Sequence, residues 1–208
     1  MSADISRSKV PRRSDYREYR EELRRDFHYA CGYCTTKECE AEAIGFEIDH
    51  YLPLSGHPDL IADFLNLVWS CRHCNSYKSD WDPQDPKWKP EEVIFRPDQY
   101  KWSEHFKPVS GYEVAGVSPL GAFTCRHLRL NRPLLKRLRE YRDRMHKAQE
   151  ELKKRLQHLK RLARKIDLVP PKLRGKVMRL HHDLMDEAGQ METLLDEIIK
   201  QGPRSRLY

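Results

Sequence analysis

Two pairs of cysteines, Cys31-Gly-Tyr-Cys34 and Cys71-Arg-His-Cys74, bracket an Asp49-His50 dipeptide and Asn66, and Asn75 follows the last cysteine directly. Four thiolates in two Cys-x-x-Cys pairs can close a tetrahedron around zinc and leave no position open for water, which makes a structural rather than a catalytic metal. Asp49, His50 and Asn75 offer a different chemistry. A carboxylate and an amide oxygen suit a hard divalent cation, and a neutral imidazole suits proton transfer near neutral pH.

These groups need short elements to hold them. Phe46 to Tyr51 reads as a short strand, and Leu52-Pro53-Leu54-Ser55-Gly56 breaks it into a loop. Asn66 to Trp69 then leads into the second cysteine pair. Tyr16, Tyr19, Leu23 and Phe27 recur at spacings of three and four and predict a helical stripe that packs on the domain and leads into the first pair. Asp80 to Gly111, rich in Pro and Trp, predicts an irregular wrap over the core.

From Asn131 onward the pattern is helical. Leu138, Tyr141, Met145, Ala148, Leu152, Leu156, Leu159, Leu162 and Ile166 form one stripe, ended by Pro170-Pro171. Val177, Leu180, Leu184, Ala188, Met191, Leu195 and Ile198 form a second. Two stripes across a short turn predict an antiparallel helical hairpin, whose apolar face serves as core or as a seam for a second copy or a regulatory partner. The expected division is a flexible polar segment over 1–14, a domain over 15–130, the hairpin over 131–200 and a tail over 201–208.

The 208 residues carry a net charge of +7, which favours a polyanionic partner. That charge is unevenly spread. Cys31 to Asp80 holds eight acids against three bases, a net of −5, whereas Arg132 to Lys165 holds fourteen bases against four acids, a net of +10. Attraction for nucleic acid must therefore come from outside the acidic segment. No secretory apolar stretch and no run long enough to span a membrane occurs, so the expectation is a cytoplasmic protein with reduced cysteines and no membrane contact. Cys39 and Cys125 are left outside the pairs.

The order Cys-x-x-Cys, Asp-His, Asn, Cys-x-x-Cys-Asn resembles the HNH family of His-Me finger endonucleases, in its small bacterial zinc-knuckle members. A second stretch resembles the tail of those proteins: Phe95-Arg-Pro97, Trp102-Ser-Glu104-His105-Phe106, Val117-Ser-Pro119-Leu-Gly121, Thr124 and Leu130-Asn131-Arg132-Pro133-Leu134. The resemblance implies an α+β fold, a zinc-clamped ββα-metal core with the helical hairpin attached. It also implies a metal-dependent hydrolase that cuts phosphodiesters. His50 would be the general base; Asp49 and Asn75, which replaces the last His of the motif, would hold Mg²⁺ or Mn²⁺; Asn66 would fix the loop and orient the base. Zinc would sit on Cys31, Cys34, Cys71 and Cys74. Lys78 is a candidate phosphate contact or a plain surface lysine, and Glu47 a weaker candidate beside the metal. DNA is the expected substrate, with RNA the alternative, and anti-phage defence a role open to such proteins. The competing class is a non-catalytic zinc-dependent nucleic-acid-binding or assembly module.

Overall fold

The computed structural model describes residues 5–41 and 44–201. Residues 1–4, 42–43 and 202–208, and the side chains of 163 and 198–201, lie outside them, so Glu42, Ile198 and the expected tail are not described. The chain divides into two compact units, Met1–Arg137 and Leu138–Tyr208.

In the first unit, a 3₁₀ turn over Tyr16–Tyr19, capped by the Asp15 side chain, runs into helix α1 (Arg20–Asp26). Tyr19, Leu23 and Phe27 are buried along the predicted stripe. Within residues 5–14, part of the segment expected to be flexible, several groups bond to the rest of the domain. Arg7 pairs with Asp98 at 2.9 Å and stacks on Phe27, Ser8 N–H donates to Asp26 at 2.8 Å, and Arg13 pairs with Glu22 at 2.7 Å. Each of these polar side chains meets a complementary charge or ring on the domain, which is the ordering that terminal segments otherwise lack.

Strands β1 (Phe46–His50) and β2 (Leu67–Cys71) pair antiparallel, with Ile48 opposite Trp69, Asp49 opposite Val68 and His50 opposite Leu67. All five residues of β2 are buried, as its nearly continuous apolar run requires of a strand covered on both faces. Helix α2 (Arg72–Lys78) follows at once and lies against both strands. The Trp- and Pro-rich wrap lacks strands or helices from 80 to 101, and Trp81 is buried with its indole N–H donating to Glu92 O at 3.0 Å.

The unit closes with α3 (Trp102–His105), a hairpin of β3 (Phe106–Val109) and β4 (Glu113–Gly116), and α4 (Pro119–His127). Ser118 caps α4 by accepting from Gly121 N–H at 3.0 Å, and Pro119 opens its first turn. The helix sits directly on the hairpin. A Cβ at Gly121 would lie 2.1 Å from His105 O, so only glycine permits that approach. His105 itself is a packing residue, 2.7 Å from Ser118 Oγ and edge-on to Phe95.

The two long helices are α5 (Pro133–Ala163) and α6 (Pro171–Gln201). Gln149 donates to Asp196, and His181 Nε2 lies 3.0 Å from Leu159 O, an order of pairing that fixes the two helices antiparallel. The predicted α6 stripe divides in two. Ala188 and Leu195 share a half-buried line with His181 toward α5, whereas Val177, Leu180, Leu184 and Met191 are exposed, as are Leu173 and Leu194 outside the predicted stripe. A single neighbouring helix covers only one edge of so wide an apolar face. Among the described residues no helix is long and apolar enough to cross a membrane.

Candidate metal and catalytic site

The first cysteine pair sits on a tight turn: Thr35 N–H donates to Cys31 O at 2.9 Å, and Thr35 takes a left-handed φ of 61°. Gly32 N–H donates to Trp69 O at 2.9 Å and docks that turn on β2. Cys71 ends β2 and Cys74 lies in the first turn of α2. All four thiols are buried and their sulfurs lie within 4.8 Å of one another, with Cys34 and Cys71 at 3.8 Å. Zinc bonds to sulfur of about 2.3 Å in a tetrahedron place sulfurs roughly 3.8 Å apart, so the donor set and its size fit zinc.

The charge of such a cluster is also met. Arg132 Nη2 lies 3.8 Å from the sulfurs of Cys34 and Cys71 and 3.6 Å from Cys74. Hydrogen bonds from Cys31 and then Cys71 hold the Cys34 thiol well below its ordinary range, while burial pushes Cys31 up.

β1 and α2 form the second site. Successive strand residues alternate sides, so Glu47 and Asp49 share one face and His50 leaves from the other. Asn75 and Lys78, three apart on α2, both reach the Glu47–Asp49 face. Asn75 Nδ2 donates to Glu47 Oε2 at 2.9 Å; Lys78 Nζ donates to Asp49 Oδ1 at 3.0 Å and to His50 O at 2.7 Å. Tyr33 donates to the other Asp49 oxygen at 2.5 Å.

Asp49 is 4 % exposed and Lys78 1 %. Lys78 is therefore no surface lysine, and in this arrangement its ammonium meets Asp49 rather than solvent. A carboxylate carried into the core needs a counter-charge, which is the reason the lysine is drawn in. Burial pushes the Asp49 carboxyl up, with Lys78 and then Tyr33 pulling the other way. Glu47 is held below its ordinary value by the Asn75 amide and then by Arg72, whose Nε lies 2.7 Å away. Two of about four acceptor directions on Asp49 are used, and Asn75 keeps its amide oxygen free of the Glu47 bond. Glu47, Asp49 and Asn75 thus supply the oxygen donors that could hold a divalent cation.

His50 stands at the rim. Its Nε2 lies 2.9 Å from Ile61 O, and Tyr16 meets its ring edge-on at 4.9 Å. Asn66 is buried and spans the loop: its Oδ1 accepts from Leu52 N–H at 2.9 Å and its Nδ2 donates to Leu52 O at 3.0 Å. Sequence reasoning missed Tyr33, Tyr16 and Arg132. Tyr33 lies between the first two cysteines, and Arg132 stands within the Leu-Asn-Arg-Pro run, but neither position announces its partner.

Residues 31–80 match the family model for HNH endonucleases. Over 103 residues the chain is 32 % identical to the Septu protein PtuB of Bacillus thuringiensis, a stretch covering 49 % of this chain and 36 % of that protein. The chain thus spans about a third of the length of that curated relative. No solved structure matches. The cysteine pairs, Asp49-His50, Asn66 and Asn75 fall within the matched segment, on a strand pair followed by a helix, and residues 31–80 are an HNH endonuclease domain.

Proposed function

We propose that the chain hydrolyses phosphodiester bonds in DNA with one divalent cation, as the effector nuclease of an anti-phage defence system. The observation that carries the catalytic part is the setting of His50. A bond to the Ile61 carbonyl requires the proton on Nε2, so neutral His50 presents Nδ1 as a base. Tyr16 restrains the ring plane, and Asn66 holds the loop that follows β1. His50 Nδ1 then takes the proton of the attacking water. Asp49 and Asn75, beside Glu47, would hold Mg²⁺ or Mn²⁺, which when bound stabilises charge on the phosphate and leaving oxygens. The zinc site clamps the turn carrying Tyr33 to the helix carrying Asn75 and Lys78. Likeness to a Septu protein supports the defence role, and the exposed apolar line of α6 supports docking to a regulatory protein or a second copy.

The purified chain should cut plasmid or linear duplex with Mg²⁺ or Mn²⁺ and lose activity in EDTA, with single strands and RNA assayed in parallel. A second reading, a non-catalytic zinc-dependent nucleic-acid-binding or assembly module, is favoured by the buried Lys78–Asp49 pair, which already occupies the central carboxylate. Retained binding without cleavage under every metal would select it.

A further inference from the structure

The HNH segment carries a net charge of −5, so a polyanionic substrate must be held by residues outside it. An open groove of about 570 Å³ lies against α2, lined by Tyr77, Cys125, Arg126, Arg129, Asn131 and Arg132 with Pro133 at its edge. Among the described residues no carboxylate lines it. Tyr77 reaches it from a different face of α2 than Asn75 and Lys78, which turn toward β1.

The arginines stand every third residue along the end of α4 and the turn into α5. That turn is fixed by Leu130 N–H donating to Cys125 O and Arg132 N–H to Arg129 O, each at 3.0 Å. The groove's polar residues divide by role. Asn131 is consumed by the Val114 backbone, and Arg132 is consumed by the cysteine cluster. Arg126 and Arg129 are exposed and, among the described residues, have no carboxylate partner. The Arg129 guanidinium lies over the Tyr77 ring at 4.7 Å, a contact that does not use up its hydrogen-bond donors.

We propose that Arg126 and Arg129, backed by Tyr77, bind the phosphate backbone of the nucleic acid beside the scissile position, while Arg132 ties this groove to the zinc cluster. This rests on the nuclease reading. The two sites are separated by α2, whose width of about 10 Å corresponds to about three nucleotide steps at 3.4 Å each. Guanidinium forks without competing carboxylates match phosphate oxygens, and stacking on Tyr77 lowers the ordering cost of one of them. The strand pair and α2 would supply the catalytic groups within a segment of net negative charge; the arginines of the groove would supply the attraction.

The test is binding of a short fluorescent duplex by the full chain carrying His50→Ala, followed across a salt series with Mg²⁺. Adding Arg126→Glu and Arg129→Glu should weaken binding at least tenfold at low salt and make the log–log salt slope shallower by about two units, one for each phosphate no longer neutralised. Zinc content should stay at the parent level. Arg126→Gln with Arg129→Gln gives the same slope change without new charge, and decides the matter if the Glu pair fails to fold. Parent affinity and slope in the Gln pair overturn the proposal, including the case in which the groove instead takes an acidic protein. A parent chain that binds duplex but cuts no nucleic acid sinks the nuclease reading alone, because the groove is scored by binding.

Discussion

Asp49 and Lys78 are buried against each other, so removing either strands a charge in the core. Lys78→Met should cost about 3 kcal/mol, and Asp49→Asn added to it should restore part of that, as measured by denaturant unfolding. The pH dependence has a definite sign. Asp49 titrates above its ordinary range when folded, so its contribution is fullest below the ordinary aspartate value and declines as pH rises through the raised one. Without Lys78 the carboxyl rises further. The Lys78→Met variant should therefore be relatively more stable at acidic than at neutral pH; an equal deficit at both would show that the pair does not set the balance. At His50, Ala should lower cleavage by about 100-fold or more with unchanged zinc content and duplex affinity if His50 is the proposed base, because a base acts on water rather than on binding. Parent-like cleavage by that variant under several metals would remove His50 from the mechanism. Replacing any of Cys31, Cys34, Cys71 or Cys74 with Ser should abolish a stoichiometric zinc and the folding it supports, read by elemental analysis and circular dichroism. A folded, zinc-free parent would refute the metal assignment.

Among the elements, the loop after β1 depends on one side chain. Asn66 satisfies both backbone groups of Leu52, and Asn66→Ala would leave them unpaired at a cost of about 2 kcal/mol. Because that loop precedes Ile61, whose carbonyl fixes the His50 tautomer, kcat should fall more than KM changes. Hydrogen exchange should speed up at the Leu52 amide. Protection equal to the parent would mean the loop is held by other bonds, such as Tyr51 N–H to Asn66 O.

For the whole molecule, the question is what covers α6. Leu173, Val177, Leu180, Leu184, Met191 and Leu194 are exposed at alternating heptad-like spacings, an arrangement suited to a helical seam. Leu180→Glu with Leu184→Glu should lower the light-scattering mass, or abolish capture of a docking partner, without changing zinc content. If α5 instead tracks phosphates, Lys154→Glu with Arg161→Glu should flatten the salt dependence of duplex binding by about one unit for each phosphate released. Equal monomeric masses for parent and seam variant, together with loss of salt-sensitive binding on truncation after Glu140, would refute assembly through the hairpin.

Features whose signals are local were legible in the chain alone. Cysteine spacing marked the zinc cluster, Phe46 to Tyr51 marked a short strand, and the repeats after Asn131 marked two long helices joined at Pro170-Pro171. The order of the two cysteine pairs with Asp49-His50, Asn66 and Asn75 marked the HNH segment. Which charges meet was settled only by packing. Nothing local distinguishes Lys78 from a surface lysine until α2 lies against β1 and Asp49 needs a counter-charge. Arg132 reads as the start of a basic helix, yet packing turns it onto sulfurs from both cysteine pairs, far away in the chain. It likewise leaves Arg126 and Arg129 on a groove that no described carboxylate lines, and part of the α6 stripe uncovered. Spacing encodes periodic neighbours within an element; partners between elements depend on how the elements pack, which a one-dimensional pattern does not encode.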